Sequence, residues 1–113
     1  MPRRRYSREQ PPRVRTAWAR KAIQILSDGG WHDVEELRTQ MQPLIPAQKA
    51  LVTFDANWKP AVQPQPRRGR IEQGRRYIAV HTLGNLSKEA AIERKGRKYR
   101  ALWPTAASAH VAG

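Results

Sequence analysis

The chain has 113 residues and no cysteine, which excludes a disulfide framework and any metal site built from thiolates. It also has no apolar run that approaches the ~18 residues of a membrane span. The basic N-terminus lacks the apolar segment of a secretory signal, and Pro11 and Pro12 interrupt the amphipathic helix that is typical of an organelle transit peptide. We therefore expect an intracellular protein with no cofactor, and the cytoplasm is its expected compartment.

Acidic residues are scarce as well, since nine Asp and Glu stand against 22 Lys and Arg, and the net charge is +13. The excess lies in two segments: residues 1–15 carry +5 and residues 67–113 carry +8, whereas residues 16–66 have five charges of each sign. A compositional bias of the genome would spread arginine evenly. Two positive segments around a neutral one indicate a surface that binds a polyanion. A basic tail that serves only solubility is the alternative interpretation.

The length predicts one domain with two tails. Nearly all large apolar side chains fall within residues 16–104, which we expect to form the domain. Residues 1–15 are rich in Arg and Pro and should form a disordered basic arm, because they cannot bury enough apolar area to offset the entropy of ordering. Residues 105–113 show no periodicity and should be a disordered tail.

Apolar spacing in the first half of the chain predicts three helices, over residues 17–27, 33–42 and 46–58. Thr16 is the expected N-cap of the first helix. Asp33 and Glu36 have the residue types and the spacing of a capping box at the start of the second helix. Trp31 lies before this helix in a short extended piece.

Residues 59–70 contain three prolines and a glycine, and they predict an exposed loop that ends in Arg67, Arg68 and Arg70. A fourth helix should run from Ile71 or Gly74 to Ser87. Its outward face is predicted to show Gly74, Tyr77, His81, Asn85 and Lys88. Strands over residues 91–94 and 97–103 should then form a hairpin around a turn at Lys95–Gly96. Of the four tryptophans, Trp18, Trp31 and Trp103 are expected in the core, and Trp58 is expected to be half exposed.

The order helix, extended piece, helix, helix and basic hairpin resembles the winged helix-turn-helix family of DNA-binding domains. The stretch AIQILSDGGWHDVEEL is similar to the family's first helix, glycine break, first strand and second-helix start. The stretch LGNLSKEAAIERKGRKYRAL is similar to the end of its recognition helix and its wing. The resemblance implies an α+β fold of three to four helices with a C-terminal β-hairpin wing, of the small bacterial or phage type.

The chain departs from the family pattern at two places. Residues 43–70 stand where the family has a tight turn, which predicts an inserted helix and a Pro-rich loop. Ala90 stands where the family usually has glycine. The insertion leaves two candidates for the recognition helix, residues 46–58 and residues 74–87. We favour 74–87, because that segment connects directly to the wing and carries the positive charge.

The resemblance implies a nucleoid-associated transcriptional regulator that binds double-stranded DNA, with a helix in the major groove and a wing on the backbone or in the minor groove. Arginine suits such a site because its guanidinium forms paired hydrogen bonds with phosphate or guanine. The expected DNA contacts are Arg70, Arg75, Arg76, Tyr77, His81 and Asn85 around the recognition helix, Lys95, Arg97 and Lys98 in the wing, and Arg3, Arg4 and Arg5 in the arm.

Other functions find less support in the sequence. An enzyme is not expected, because the three histidines are far apart in sequence and no glycine-rich phosphate loop is present. A protein-interaction adaptor on the same scaffold is the alternative, and residues 43–70 with Phe54 and Trp58 would then hold the partner. RNA binding is less favoured, since no RNA-binding signature is present. The sequence leaves a homodimer open.

Overall fold

The computed structural model describes residues 10–58 and 66–105. In chain order, these residues form the elements α1 (Ala17–Leu26), β1 (His32–Asp33), α2 (Val34–Met41), a 3-10 helix (Gln42–Leu44), α3 (Ala47–Asn57), α4 (Arg67–Lys88), β2 (Ile92–Lys95) and β3 (Lys98–Ala101). The α+β class predicted from the sequence is confirmed, and the layout is compatible with a winged helix. The expected roles of Arg3, Arg4 and Arg5 lie outside the described residues.

Helix α1 begins as predicted. The Thr16 hydroxyl accepts a hydrogen bond from the Ala19 amide at 3.2 Å, which satisfies one of the free amides of the first turn. After the helix ends at Leu26, Gly29 has a φ of 84°, a left-handed conformation that glycine adopts without steric cost.

The capping box predicted for α2 is only half formed. The Asp33 carboxylate accepts a hydrogen bond from the Glu35 amide at 2.8 Å, as an N-cap should. Glu36 does not bond back to Asp33, because its carboxylate lies 2.8 Å from the Nδ1 atom of His32. The α-helix ends at Met41, and Pro43 lies within the 3-10 helix that follows.

The three strands form an antiparallel sheet in the order β1–β3–β2. Lys95 pairs with Lys98, so the turn of the hairpin consists of Gly96 and Arg97. The predicted turn at Lys95–Gly96 is therefore wrong by one residue. Gly96 takes a φ of 63°, which explains why glycine occupies the first position of this two-residue turn.

The core lies between the helices and the inner face of the sheet. Its largest fully buried side chains are Leu26, Leu37, Met41, Ile45, Leu83 and Ile92. Trp18 and Trp103 are buried as predicted, and Trp58 is 39% exposed, also as predicted. The core placement predicted for Trp31 is wrong, since this ring is 37% exposed. The guanidinium of Arg100 lies 4.6 Å from the centre of the Trp31 ring, so the ring serves as a cation–π partner on the surface.

Helix α4 is longer at its N-terminus than the sequence predicts. It begins at Arg67, so the loop predicted over 59–70 is wrong for residues 67–70, which are helical. The outward placement predicted for Gly74 is also wrong, because Gly74 is buried against α3. This contact brings the two helices close together and supports the first turns of α4, which the sequence pattern alone did not favour as helix.

None of the helices in the described part of the chain combines the length and the apolar character that a membrane crossing requires.

Candidate nucleic-acid interface

The basic side chains of α4 lie in its N-terminal part, from Arg67 to Arg76, and at Lys88 near its C-terminal end. From Gln73 to Lys88 the helix has no acidic residue. Its inner side is buried in the core, whereas His81 and Asn85 are exposed as the sequence predicts, and Arg76 is exposed as well. These three side chains can therefore reach a ligand that lies along the helix.

Arg75 occupies a different position from its neighbour Arg76. Its Nε atom donates a hydrogen bond to the carbonyl oxygen of Ile45 at 2.8 Å, and the side chain is half buried. The bond ties α4 to the segment that follows the 3-10 helix. Arg75 also lines a groove of about 730 Å³ together with the exposed Arg67 and Arg68.

Arg70 lies between α3 and α4. Its Nη1 atom is 3.5 Å from the Asp55 Oδ1 atom, and both side chains retain contact with solvent. An ion pair of this kind contributes about 0–1 kcal/mol, because water screens both charges. Arg70 is thus held near the end of α3 by a weak contact that a phosphate group could replace.

Four aromatic rings meet where the C-terminal end of α3 packs against α4, and we call Phe54, Trp58, Tyr77 and His81 the aromatic cluster. Phe54 stacks on Trp58 with a centroid distance of 4.9 Å, and Tyr77 stacks on His81 at 5.3 Å. Trp58 and Tyr77 meet edge to face at 5.5 Å, which joins the two pairs.

The sequence analysis did not find this cluster, although part of the signal is present. Both stacked pairs have i,i+4 spacing, which places two side chains next to each other on one helix. The contact between Trp58 and Tyr77 depends on how the two helices pack, and no sequence pattern reports it. Beside the cluster lies a groove of about 320 Å³, which we call the aromatic groove, lined by Trp58, Gln73, Arg76, Tyr77, Val80 and His81.

The hairpin brings two lysines together on the outer face of the sheet. Lys95 of β2 is the direct cross-strand partner of Lys98 of β3, and both side chains are exposed. Within the described residues, no carboxylate lies within ion-pairing distance of either lysine. Like charges directly opposite each other destabilise a strand pair, so this arrangement is unfavourable until an anion binds.

The three arginines of the hairpin are engaged within the protein. Arg97 is 66% exposed, and its guanidinium lies 3.4 Å from the Glu35 carboxylate and 3.9 Å from that of Asp33. Arg94 donates from Nε to the Gly96 carbonyl oxygen at 2.8 Å. Arg100 pairs with Glu93, its cross-strand partner. Of the wing residues expected to bind DNA, Lys95 and Lys98 are therefore more available than Arg97.

His32 bridges two acidic side chains at the end of the loop between α1 and α2. Its Nε2 atom lies 2.9 Å from an Asp28 oxygen, and its Nδ1 atom lies 2.8 Å from a Glu36 oxygen. Partial burial by itself would lower the pKa of His32, but the hydrogen bonds to Asp28 and Glu36 outweigh burial and raise the pKa above its ordinary value. The hydrogen bond from His32, followed by that from the Gly30 amide, lowers the pKa of Asp28.

Sequence reasoning missed the bridge that His32 forms between two carboxylates, because it took the histidines as isolated. In the described ranges, no group of three or more His, Asp or Glu side chains is arranged to hold a metal ion.

Comparison of the chain with protein-family models, with curated proteins and with solved structures found no match.

Proposed function

We propose that this protein binds double-stranded DNA as a winged-helix regulator, with the outer face of α4 in the major groove and the β2–β3 hairpin on the phosphate backbone. The observation that supports the proposal is the cross-strand pairing of the exposed residues Lys95 and Lys98, neither of which has a carboxylate partner among the described residues. Two exposed lysines directly opposite each other at the end of a hairpin repel one another less when a polyanion lies across them, and duplex DNA presents one phosphate charge per ~1.7 Å of its axis.

The charge of the whole C-terminal half supports the same ligand. Described residues 66–105 hold eleven basic and three acidic side chains, whereas residues 10–58 hold six and five. Ion pairs within the protein offset part of this excess. The exposed groups that remain on α4 include Arg76, His81 and Asn85, which have the donors and acceptors that read base edges or contact phosphates.

Of the two candidates for the recognition helix, α4 is the better supported. It leads into the hairpin through a hydrogen bond from the Ala91 amide to the Leu86 carbonyl oxygen at 3.0 Å. Helix α3 carries one basic and one acidic residue, Lys49 and Asp55, and the acid pairs with Arg70. We assign α3 the role of a support that packs on α4. The inserted segment then positions the recognition helix and does not replace it.

The test is duplex binding measured by fluorescence anisotropy between ~50 and ~200 mM salt. The double variant Lys95→Ala/Lys98→Ala should weaken binding at least tenfold near ~100 mM salt and reduce the salt slope by about two units. The matched control is Arg20→Ala/Lys21→Ala, which removes the same charge from α1. Equal losses in the two variants would mean that only net charge matters, and the hairpin would have no specific role.

A further inference from the structure

We propose that the aromatic groove between α3 and α4 binds an unpaired nucleobase, so that the protein prefers DNA with a single-stranded segment over a continuous duplex. The inference rests on the proposed function only in taking DNA as the ligand. It depends on Trp58, which the duplex contacts proposed above do not include, whereas Arg76 and His81 line the groove and also belong to the proposed duplex surface.

The ring geometry of the aromatic cluster suits a stacking site. Trp58 lies on Phe54 at an interplanar angle of 11°, and the edge contact with Tyr77 holds it from a second direction at 84°. Contacts from two helices therefore fix the indole while 39% of the residue remains exposed. A fixed ring loses little entropy when a base stacks on it, and an aromatic ring that is held exposed in this way is what single-strand binding proteins present to bases.

The groove beside Trp58 has the size and the polar groups that a base requires. Its volume of about 320 Å³ lies at the small end of the range for ligand sites. Gln73 at its wall carries an amide, which offers a donor and an acceptor to the edge of a base. Arg76 lies at the same wall and can pair with the phosphate that follows.

Proline-rich peptides also bind in aromatic-lined grooves, and the charge of the groove favours a nucleic acid over such a peptide. An arginine and a histidine line the groove, and none of the described residues that line it is acidic. A peptide with basic flanking residues would meet like charge there, whereas a polynucleotide brings a compensating phosphate. The ligand that complements this groove is thus an anionic chain with planar rings.

The test compares the full chain on three labelled DNAs: an oligo-dT strand of about 12 nucleotides, a continuous duplex, and the same duplex with a single-stranded overhang. The variant Trp58→Leu keeps an apolar side chain but removes the ring. It should weaken binding to the strand and to the overhang about 5- to 100-fold, the range that one stacked base supports, and leave duplex affinity unchanged. Trp58→Phe should restore most of the lost affinity.

Trp31→Leu is the matched control, because it removes an equally exposed indole elsewhere and should leave the ratio of single-strand to duplex affinity unchanged. Melting temperatures of all variants establish that they fold. Quenching of tryptophan emission by oligo-dT in the wild type, absent in Trp58→Phe, reports stacking directly.

Equal loss on all three DNAs, failure of Trp58→Phe to rescue, or displacement of the strand by a proline-rich peptide would each overturn the inference. Duplex binding that persists while Trp58→Leu has no effect on the strand would end this inference and leave the proposed function standing. If the wild-type protein bound the strand but no duplex, the proposed duplex binding would be wrong and the inference about the aromatic groove would stand.

Discussion

Gly74 of α4 lies directly against the backbone of Ala50 of α3. A Cβ atom at position 74 would lie 2.1 Å from the Ala50 carbonyl oxygen, which is much shorter than any non-bonded contact between carbon and oxygen atoms. The two helices can approach this closely only because residue 74 has no side chain. Their approach in turn brings Trp58 to Tyr77 and creates the aromatic groove.

Gly74→Ala should therefore destabilise the protein by about 1–3 kcal/mol, although alanine favours a helix, because the helices must move apart. Gly84→Ala is the matched control on the same helix, where an added methyl group meets nothing within 4 Å. It should raise the free energy of unfolding by up to ~1 kcal/mol. Urea denaturation measures both. A stabilising effect at position 74 would contradict the close packing of α3 on α4.

Thr82→Val should also destabilise the fold. The Thr82 hydroxyl accepts a hydrogen bond from the Trp18 Nε1 atom at 3.2 Å and donates one to the Ile78 carbonyl oxygen at 2.8 Å. Valine has the same shape but leaves the buried indole N–H without a partner, which costs about 1–2 kcal/mol. Thr82→Ser keeps the hydroxyl and should cost less. Equal losses in the two variants, measured by urea denaturation, would assign the effect to packing.

Stability should fall as the pH rises through the neutral range. The folded state raises the pKa of His32, so the protonated form is favoured on folding. Its contribution is complete below the ordinary pKa of 6.5 and is lost as the pH rises through the raised value. We expect less than ~1 kcal/mol, because both carboxylates are partly exposed.

Urea denaturation between pH 6 and 9 measures this dependence. His32→Gln should flatten it, because the variant has no imidazole between Asp28 and Glu36. A wild-type stability that stays constant or rises over this range would contradict the bridge.

Glu35→Gln should strengthen duplex binding. The Glu35 carboxylate holds the guanidinium of Arg97 and lowers the positive potential at the tip of the hairpin. Glutamine keeps an acceptor for Arg38 but releases Arg97 from a charged partner. Affinity should rise roughly two- to fivefold, since an exposed ion pair is worth up to ~1 kcal/mol. Anisotropy in an Arg97→Ala background provides the control, and a gain that persists there would show that Arg97 is not involved.

Features that depend on neighbouring residues could be predicted from the sequence. Thr16 at the start of α1 and the glycine of the hairpin turn follow from local backbone chemistry, and the buried stripe of α1 follows from apolar spacing. The half-exposed position of Trp58 was predicted because this residue adjoins the Pro-rich loop, and the α+β class was implied by the resemblance to winged-helix domains. The turn was placed one residue early, because sequence shows that a glycine turn exists but does not fix which residues pair across it.

Features that depend on tertiary packing could not be predicted. Trp31 borders an apolar segment and was expected in the core, but the cation–π contact with Arg100 gives it a stable place on the surface. The first turn of α4 and the inward position of Gly74 both depend on α3, which has no counterpart in the winged-helix pattern that the sequence resembles. The pairing of Arg97 with Asp33 and Glu35 joins residues more than 60 positions apart.

The sheet order β1–β3–β2 places β2 at an edge of the sheet, where the N–H and C=O groups on its outer side point away from β3. Exposed edges of this kind invite another strand to add itself, and charged side chains are a common defence against such association. Three of the four residues of β2, Glu93, Arg94 and Lys95, are charged. Lys95 is also one of the two lysines that we assign to the phosphate backbone, so variants that neutralise the hairpin should become prone to aggregation as they lose their affinity for DNA.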